Sequence, residues 1–204
     1  MIDLRLNGLT VVKKADHVGR DEPMVWTMFI ELSLDTINSR QFVIKTDPVA
    51  GKLAKAGKGD RVTIPAAVGR WHTEKTGIGM AGVAVIGFDN DLRSTSQIRS
   101  GYNAGAAALN QAIIDHFPKH GFAPVEAAEQ AEIETRIRNA VKEAFLADSV
   151  LLTLFGGKPL GGDSYTRVLD ENTIDEPITL TLRAKHDWAI YRVDGRLQFQ
   201  RPQG

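Results

Sequence analysis

Val25-Trp26-Thr27-Met28-Phe29-Ile30-Glu31-Leu32 is the run on which the fold reading turns. Large and β-branched residues crowd it and a proline precedes it, so it reads as a strand. On its N-terminal side Leu4, Leu6 and Leu9-Thr10-Val11-Val12 open the series. On its C-terminal side come Arg40-Gln41-Phe42-Val43-Ile44-Lys45, Asp60-Arg61-Val62-Thr63-Ile64 and Ala81-Gly82-Val83-Ala84-Val85-Ile86-Gly87-Phe88. Glycine, proline, asparagine or aspartate separates most of them, the punctuation of an antiparallel sandwich. The pattern returns between Leu151 and Phe199. Thr179-Leu180-Thr181-Leu182 and Trp188-Ala189-Ile190-Tyr191-Arg192-Val193 read as strands, Asp194-Gly195 as a hairpin turn and Arg196-Leu197-Gln198-Phe199 as the returning strand.

Between these parts the period changes. Ile98, Tyr102, Leu109, Ile113 and Phe117 share one helical face, with Ser94 or Ser96 placed to cap the start and Pro118 with Gly121 to end it. A second helix begins near Pro124, where Ile133, Ile137, Val141 and Phe145 recur every four residues. Glu126, Glu129, Glu132 and Glu134 crowd its early turns and Arg136, Arg138 and Lys142 follow, an order that suits the helix dipole. The expected fold is therefore mainly β with α: an antiparallel β-sandwich carrying an inserted two-helix hairpin. Residues 1–95 form its first part, 96–149 the hairpin and 150–204 the remainder. The apolar stripes are expected to pack on each other and on the sandwich; a partner groove or a membrane surface is their other use.

Composition narrows the function classes. The 204 residues carry 25 basic and 25 acidic side chains, so no global field favours nucleic acid or an anionic membrane. The chain has no cysteine, which excludes disulfides, thiolate zinc sites, iron–sulfur clusters and thiol catalysis. Met1-Ile2-Asp3-Leu4-Arg5 lacks the basic region and apolar run of a signal peptide, and no stretch approaches the roughly 20 apolar residues of a membrane span. These features predict a soluble protein, cytoplasmic or exported without a readable signal.

Two short acidic stretches stand out against this neutral background. They read Asp16-His17-Val18-Gly19-Arg20-Asp21-Glu22-Pro23 and Phe88-Asp89-Asn90-Asp91-Leu92-Arg93-Ser94-Thr95-Ser96-Gln97, each beside a predicted strand end. Crowded carboxylates repel unless a cation or a basic side chain lies between them, and calcium takes several oxygen ligands. Brought together, the loops offer Asp16, Asp21, Glu22, Asp89 and Asp91. Solvated acidic loops of a β-rich protein are the plainer account of the same residues.

The segment from Leu9 to Leu32 resembles the first calcium loop of the calcium-dependent phospholipid-binding β-sandwich modules of protein kinase C and the synaptotagmins. Asp16, Gly19, Glu22 and Pro23 fall at the places of that loop's motif, with Glu22 where the family has a second aspartate. Phe88-Asp89-Asn90-Asp91 is similar to the family's other calcium loop, with Gln97 where a third aspartate stands. Asp194-Gly195-Arg196-Leu197 looks like the turn into the closing strand. The resemblance covers roughly residues 4–97 and, loosely, 156–199. It implies calcium held by Asp16, Glu22, Asp89 and Asp91 with help from Asp21 or Gln97, and phosphate headgroups met by Lys13, Lys14, Arg20 and Arg93. The loop tips offer only Val18 and Leu92 for insertion, so a protein ligand is as plausible as a peripheral membrane.

Enzyme motifs are weaker. His72-Thr73-Glu74 has the spacing of zinc deaminases without their cysteines. Gly51-Lys52-Leu53-Ala54-Lys55-Ala56-Gly57-Lys58-Gly59-Asp60 lacks the Gly-Lys-Ser/Thr of a phosphate loop and reads as a flexible turn. No nucleophile elbow is present. His17 beside Asp16 and His186 beside Asp187 are sequence neighbours, which point apart in a strand. Trp26, Trp71 and Trp188 read as core anchors. The sequence thus points to a non-catalytic binding module, calcium-dependent through its acidic loops. The alternative is a structural or interaction subunit of a larger assembly, with a hydrolase using the acidic cleft a distant third.

Overall fold

The structure, a computed structural model, describes residues 1–14, 19–89, 94–121, 127–148, 159–184 and 187–201; of Asp89 and Phe145 the backbone alone is described. The strands are β1 (Ile2–Lys13), β2 (Pro23–Ser33), β3 (Val43–Lys45), β4 (Arg61–Thr63), β5 (Arg70–Thr73), β6 (Ile78–Asp89), β7 (Pro159–Val168), β8 (Thr173–Arg183) and β9 (Ile190–Gln200). They build two antiparallel sheets. One runs β4-β1-β9-β8, with β5 also paired to β1, and the other β3-β2-β6-β7. The ends of the chain meet in the first sheet, where β1 pairs with β9 from Ile2↔Phe199 to Lys13↔Ile190. The mainly β fold with a helical insertion is the one the sequence predicts.

The largely apolar run of β2, interrupted by Thr27 and Glu31, has a structural cause: the strand is buried on both faces. Val25 and Phe29 face the first sheet and join Leu4, Leu9, Val83, Tyr191 and Val193 in the inter-sheet core. Met24, Trp26, Met28 and Ile30 face the other way, into a second core under the helices. The molecule is therefore three layers, sheet on sheet on helices. Thr27, in the middle of β2, is satisfied where it lies, its hydroxyl donating to the carbonyl of Val68.

Four helices complete it: α1 (Leu34–Ser39), α2 (Ala66–Gly69), α3 (Thr95–His120) and α4 (Ala127–Asp148). Ser33 caps α1 in a reciprocal box with Thr36, and Arg40 closes it at φ 56°, so the strand expected from Arg40 begins only at Val43. Ser94 caps α3 in the same way with Gln97. Pro118 sits inside the last turn of α3, and the helix ends at Gly121. Ile98, Tyr102 and Leu109 of α3 are buried, as are Ile137 and Val141 of α4, while Ile113, Phe117 and Ile133 are partly buried on the same core. Trp26 and Trp71 are buried and Trp188 packs on the inter-sheet core, as expected of anchors.

Two local expectations are overturned. Asp194-Gly195 is not a turn but the middle of β9. There β1 bulges at Asn7, pairing Leu6 with Gly195 and Gly8 with Asp194. A side chain at Gly195 would come within 2.2 Å of the Arg5 carbonyl, and Asp194 receives Arg61 at 2.7 Å, so close approach rather than a turn requires this pair. The hairpin lies earlier, between Arg183 and Ile190. Nor is the stretch 51–60 a free turn. It is pinned beside the start of β2 by bonds from Val25 N to Gly51 O, Leu53 N to Pro23 O and Asp21 N to Ala56 O, each 2.9 Å.

Candidate functional site

The β2–β6 pairing decides where the acidic stretches go. Its register runs from Ser33↔Ile78 to Pro23↔Asp89. Asp21 and Glu22, just before β2, and Asp89, the last residue of β6, therefore lie at one pole of the second sheet. Asp16, Asp91 and Arg93 fall outside the described residues.

The described members of the predicted set have other employment. Asp21 is fully buried, and its Oδ2 accepts the phenol proton of Tyr191 at 2.9 Å. Its backbone bridges Ala56 in both directions, which locks it at the sandwich edge. Glu22 pairs with Lys55 at 2.5 Å in a half-exposed contact, and Lys55 carries the loop that the bridge holds in place. Gln97 is buried and turned inward, its Oε1 accepting from the backbone N–H of Ser94 at 3.1 Å to close the α3 cap. Of the cations, Lys14 donates to Gly19 O at 2.7 Å, Arg20 faces Asp60 at 3.7 Å, and Lys13 is exposed at the end of β1. Among the described residues no three histidine, aspartate or glutamate side chains gather as a cation site requires. Asp21 and Gln97 are thus engaged inside the fold, and Glu22 is paired with Lys55.

A second feature had no forecast. α3 is seated on β2 and β3 by polar contacts at its buried face. The Tyr102 hydroxyl donates to Thr27 O at 2.8 Å and accepts from Thr46 N at 2.6 Å, and burial pushes this phenol above its ordinary pKa. Asn110 accepts from Phe42 N at 2.8 Å and donates to Arg40 O at 2.9 Å. α4 packs along α3, where Gly105 lets Ile137 and Val141 come close. On the far side, β7 contributes Gly161, Gly162, Asp163, Ser164 and Thr166. A cavity of about 220 Å³ opens between sheet and helices, walled by β2, β6, β7, α3 and α4. Its walls are apolar side chains; His116, Glu134, Arg138 and Asp163 stand among its polar lining. His116, itself buried, meets Glu129 of α4 at 2.6 Å and so ties the two helices together near the opening. Gly161-Gly162 was the signal available in the sequence, since paired glycines inside a strand mark a wall without side chains.

Elsewhere His72 lies 3.1 Å from Glu74 and near Asp3, as part of a surface ion cluster on the first sheet. His17 and His186 fall outside the described residues. Among the described residues no helix is long and apolar enough to cross a membrane. No protein-family model matches the chain, nor does any curated protein or solved structure.

Proposed function

We propose that the chain is a non-catalytic binding module whose contact surface is the acidic pole, engaging phospholipid headgroups or a protein partner with the help of calcium. The observation that supports this reading is the register Pro23↔Asp89, which sets the start of β2, beside Glu22, against the end of β6, from which the second acidic stretch continues. Carboxylates that meet at such a pole favour a cation among them. The ligand set narrows to Asp16, Glu22, Asp89 and Asp91, because Asp21 and Gln97 serve the fold. The Glu22–Lys55 contact is a half-exposed ion pair, which contributes little and costs little to exchange. A bound ion cancels the negative potential of the pole; Lys13, Lys14 and Arg20 stand near it for phosphate oxygens, and Arg93 is assigned the same task from its place in the second acidic stretch. The resemblance to the phospholipid-binding modules supports the same arrangement.

Calorimetric titration of the full chain with calcium tests it, followed by sedimentation with anionic and with neutral phospholipid vesicles. Saturable calcium binding, with vesicle capture only when calcium and anionic lipid are both present, is the expected result. A second reading is favoured by one observation, that Asp21, Glu22 and Gln97 all have partners inside the fold. In it the pole is structural and the chain is an interaction subunit. A flat calcium titration selects it.

A further inference from the structure

We propose that the cavity between the second sheet and the helical hairpin binds a single-chain acyl carboxylate of medium length, its chain among the apolar walls and its carboxylate at Arg138. This site is separate from the acidic pole and does not depend on it. Protein interiors close voids larger than a water molecule, so an open apolar cavity of about 220 Å³ is a specific construction. Three features keep it open. α3 is fixed to β2 and β3 by Tyr102 and Asn110, α4 is drawn onto α3 at Gly105, and β7 offers Gly162, Ser164 and Thr166 where larger side chains would fill the space.

The chemistry of the walls selects the ligand. Ile30, Ile86 and Phe88 from the sheet and Phe117, Ile133 and Ile137 from the helices make most of the lining apolar. Apolar cavities of this order stay dry and take up small apolar molecules. The volume lies below the range of about 300–1,000 Å³ of drug-sized pockets, which favours one short chain over a two-chain lipid. At the rim, Arg138 is the lining side chain with a permanent positive charge. It is exposed and, unlike its neighbour Arg136, which is held by Asp115 and Glu132, makes no ion pair among the described residues. The two acidic lining residues are engaged within the protein. Asp163 is held by the backbone N–H of Ser164 at 2.8 Å and of Thr181 at 2.7 Å, and Glu134 has a partner of its own. A planar guanidinium at the mouth of an apolar cavity matches a carboxylate headgroup.

The test is calorimetry on the full chain with octanoate, with octanol of the same chain, and with hexadecanoate. Octanoate should bind one to one and hexadecanoate more weakly or not at all. Arg138→Gln should weaken octanoate about tenfold, the worth of a charge-assisted hydrogen bond, and leave octanol unchanged. Ala84→Leu, which grows into the cavity from β6, should abolish both. Ser164→Phe, placed at an exposed lining position of β7, is the second blocking variant should the first fail to fold. Absence of octanoate and octanol binding to the folded native chain overturns the site, as does equal binding by the blocked variants. Unchanged octanoate affinity in Arg138→Gln overturns the carboxylate recognition. Hexadecanoate bound as tightly as octanoate overturns the length preference.

Discussion

The phenol of Tyr191, in the middle of the inter-sheet core, donates to the buried carboxylate of Asp21, 170 positions earlier in the chain, at 2.9 Å. This contact fastens the segment before β2 to the first sheet. It turns an apparent cation ligand into an internal tie. Tyr191→Phe removes the donor and leaves the volume almost unchanged, so the carboxylate loses a hydrogen bond in a place water does not reach. The expected loss is about 1–3 kcal/mol of unfolding free energy by urea titration. Calcium affinity should not move. A calcium constant that shifts with Tyr191→Phe would return Asp21 to the ligand set.

The contrast between Asp21 and Val25–Leu32 shows what a sequence can carry. β2 announces itself because six of the eight residues Val25–Leu32 are apolar and burial on both faces demands it. The α3 and α4 stripes are legible for the same reason, since Ile133, Ile137 and Val141 repeat a local geometry. Asp21 depends on a partner that only the pairing of β1 with β9 brings near, and its neighbours Asp16 and Glu22 make it look like one of a set. Asp194-Gly195 misleads because the pair has two uses, a tight turn and a close backbone approach, and Arg5 decides between them from 190 residues away in the chain. The cavity leaves little trace beyond the Gly161-Gly162 pair, because it is defined by what β7 omits.

Asp3 gives a pH dependence. Arg5 bonds its carboxylate, and Arg70 adds a two-pronged contact at 3.0 and 2.9 Å. The Arg5 bond foremost, with Arg70 and against the opposing pull of burial, holds this carboxyl well below the usual range. A carboxyl whose pKa is lower folded than unfolded stabilises the fold above its unfolded value of about 3.9, and the contribution fades as pH falls toward the folded value. Asp3→Asn should therefore cost about 1–3 kcal/mol at neutral pH. The gap to the native chain should narrow once pH drops below about 4. A gap that stays constant through that range would show that shape, not charge, sets the cost.

Ile137 reports on the packing of the hairpin. It is 8% exposed and touches the core formed by the outer face of the second sheet and α3. Ile137→Ala should lower unfolding free energy by about 2–5 kcal/mol, as buried large-to-small changes do. Its place beside an existing cavity puts it toward the lower end. Unchanged stability with loss of self-association in sedimentation would instead make this stripe an interface.

Glu22 and Lys55 offer the sharpest test of the pole. Their pair is half-exposed, at 40% and 67% side-chain exposure, so it contributes little to the fold and competes directly with any cation that Glu22 would bind. Removing the lysine charge by Lys55→Ala frees the carboxylate for calcium. An exposed pair is worth about 0.2–1 kcal/mol, so calcium affinity should rise by up to about fivefold. Replacing Asp89 and Asp91 together with asparagine should abolish calcium binding. It should also raise the melting temperature in chelator, because the mutual repulsion of the pole is relieved. Without the double substitution, calcium at a hundredfold excess over Kd should add about 2.7 kcal/mol to stability. Magnesium should give far less, since it demands a tighter octahedron and sheds its water reluctantly. If Lys55→Ala weakens calcium binding, or Asp89→Asn with Asp91→Asn leaves it intact, the ion does not sit between the two stretches. The Pro23↔Asp89 register then serves the sheet alone.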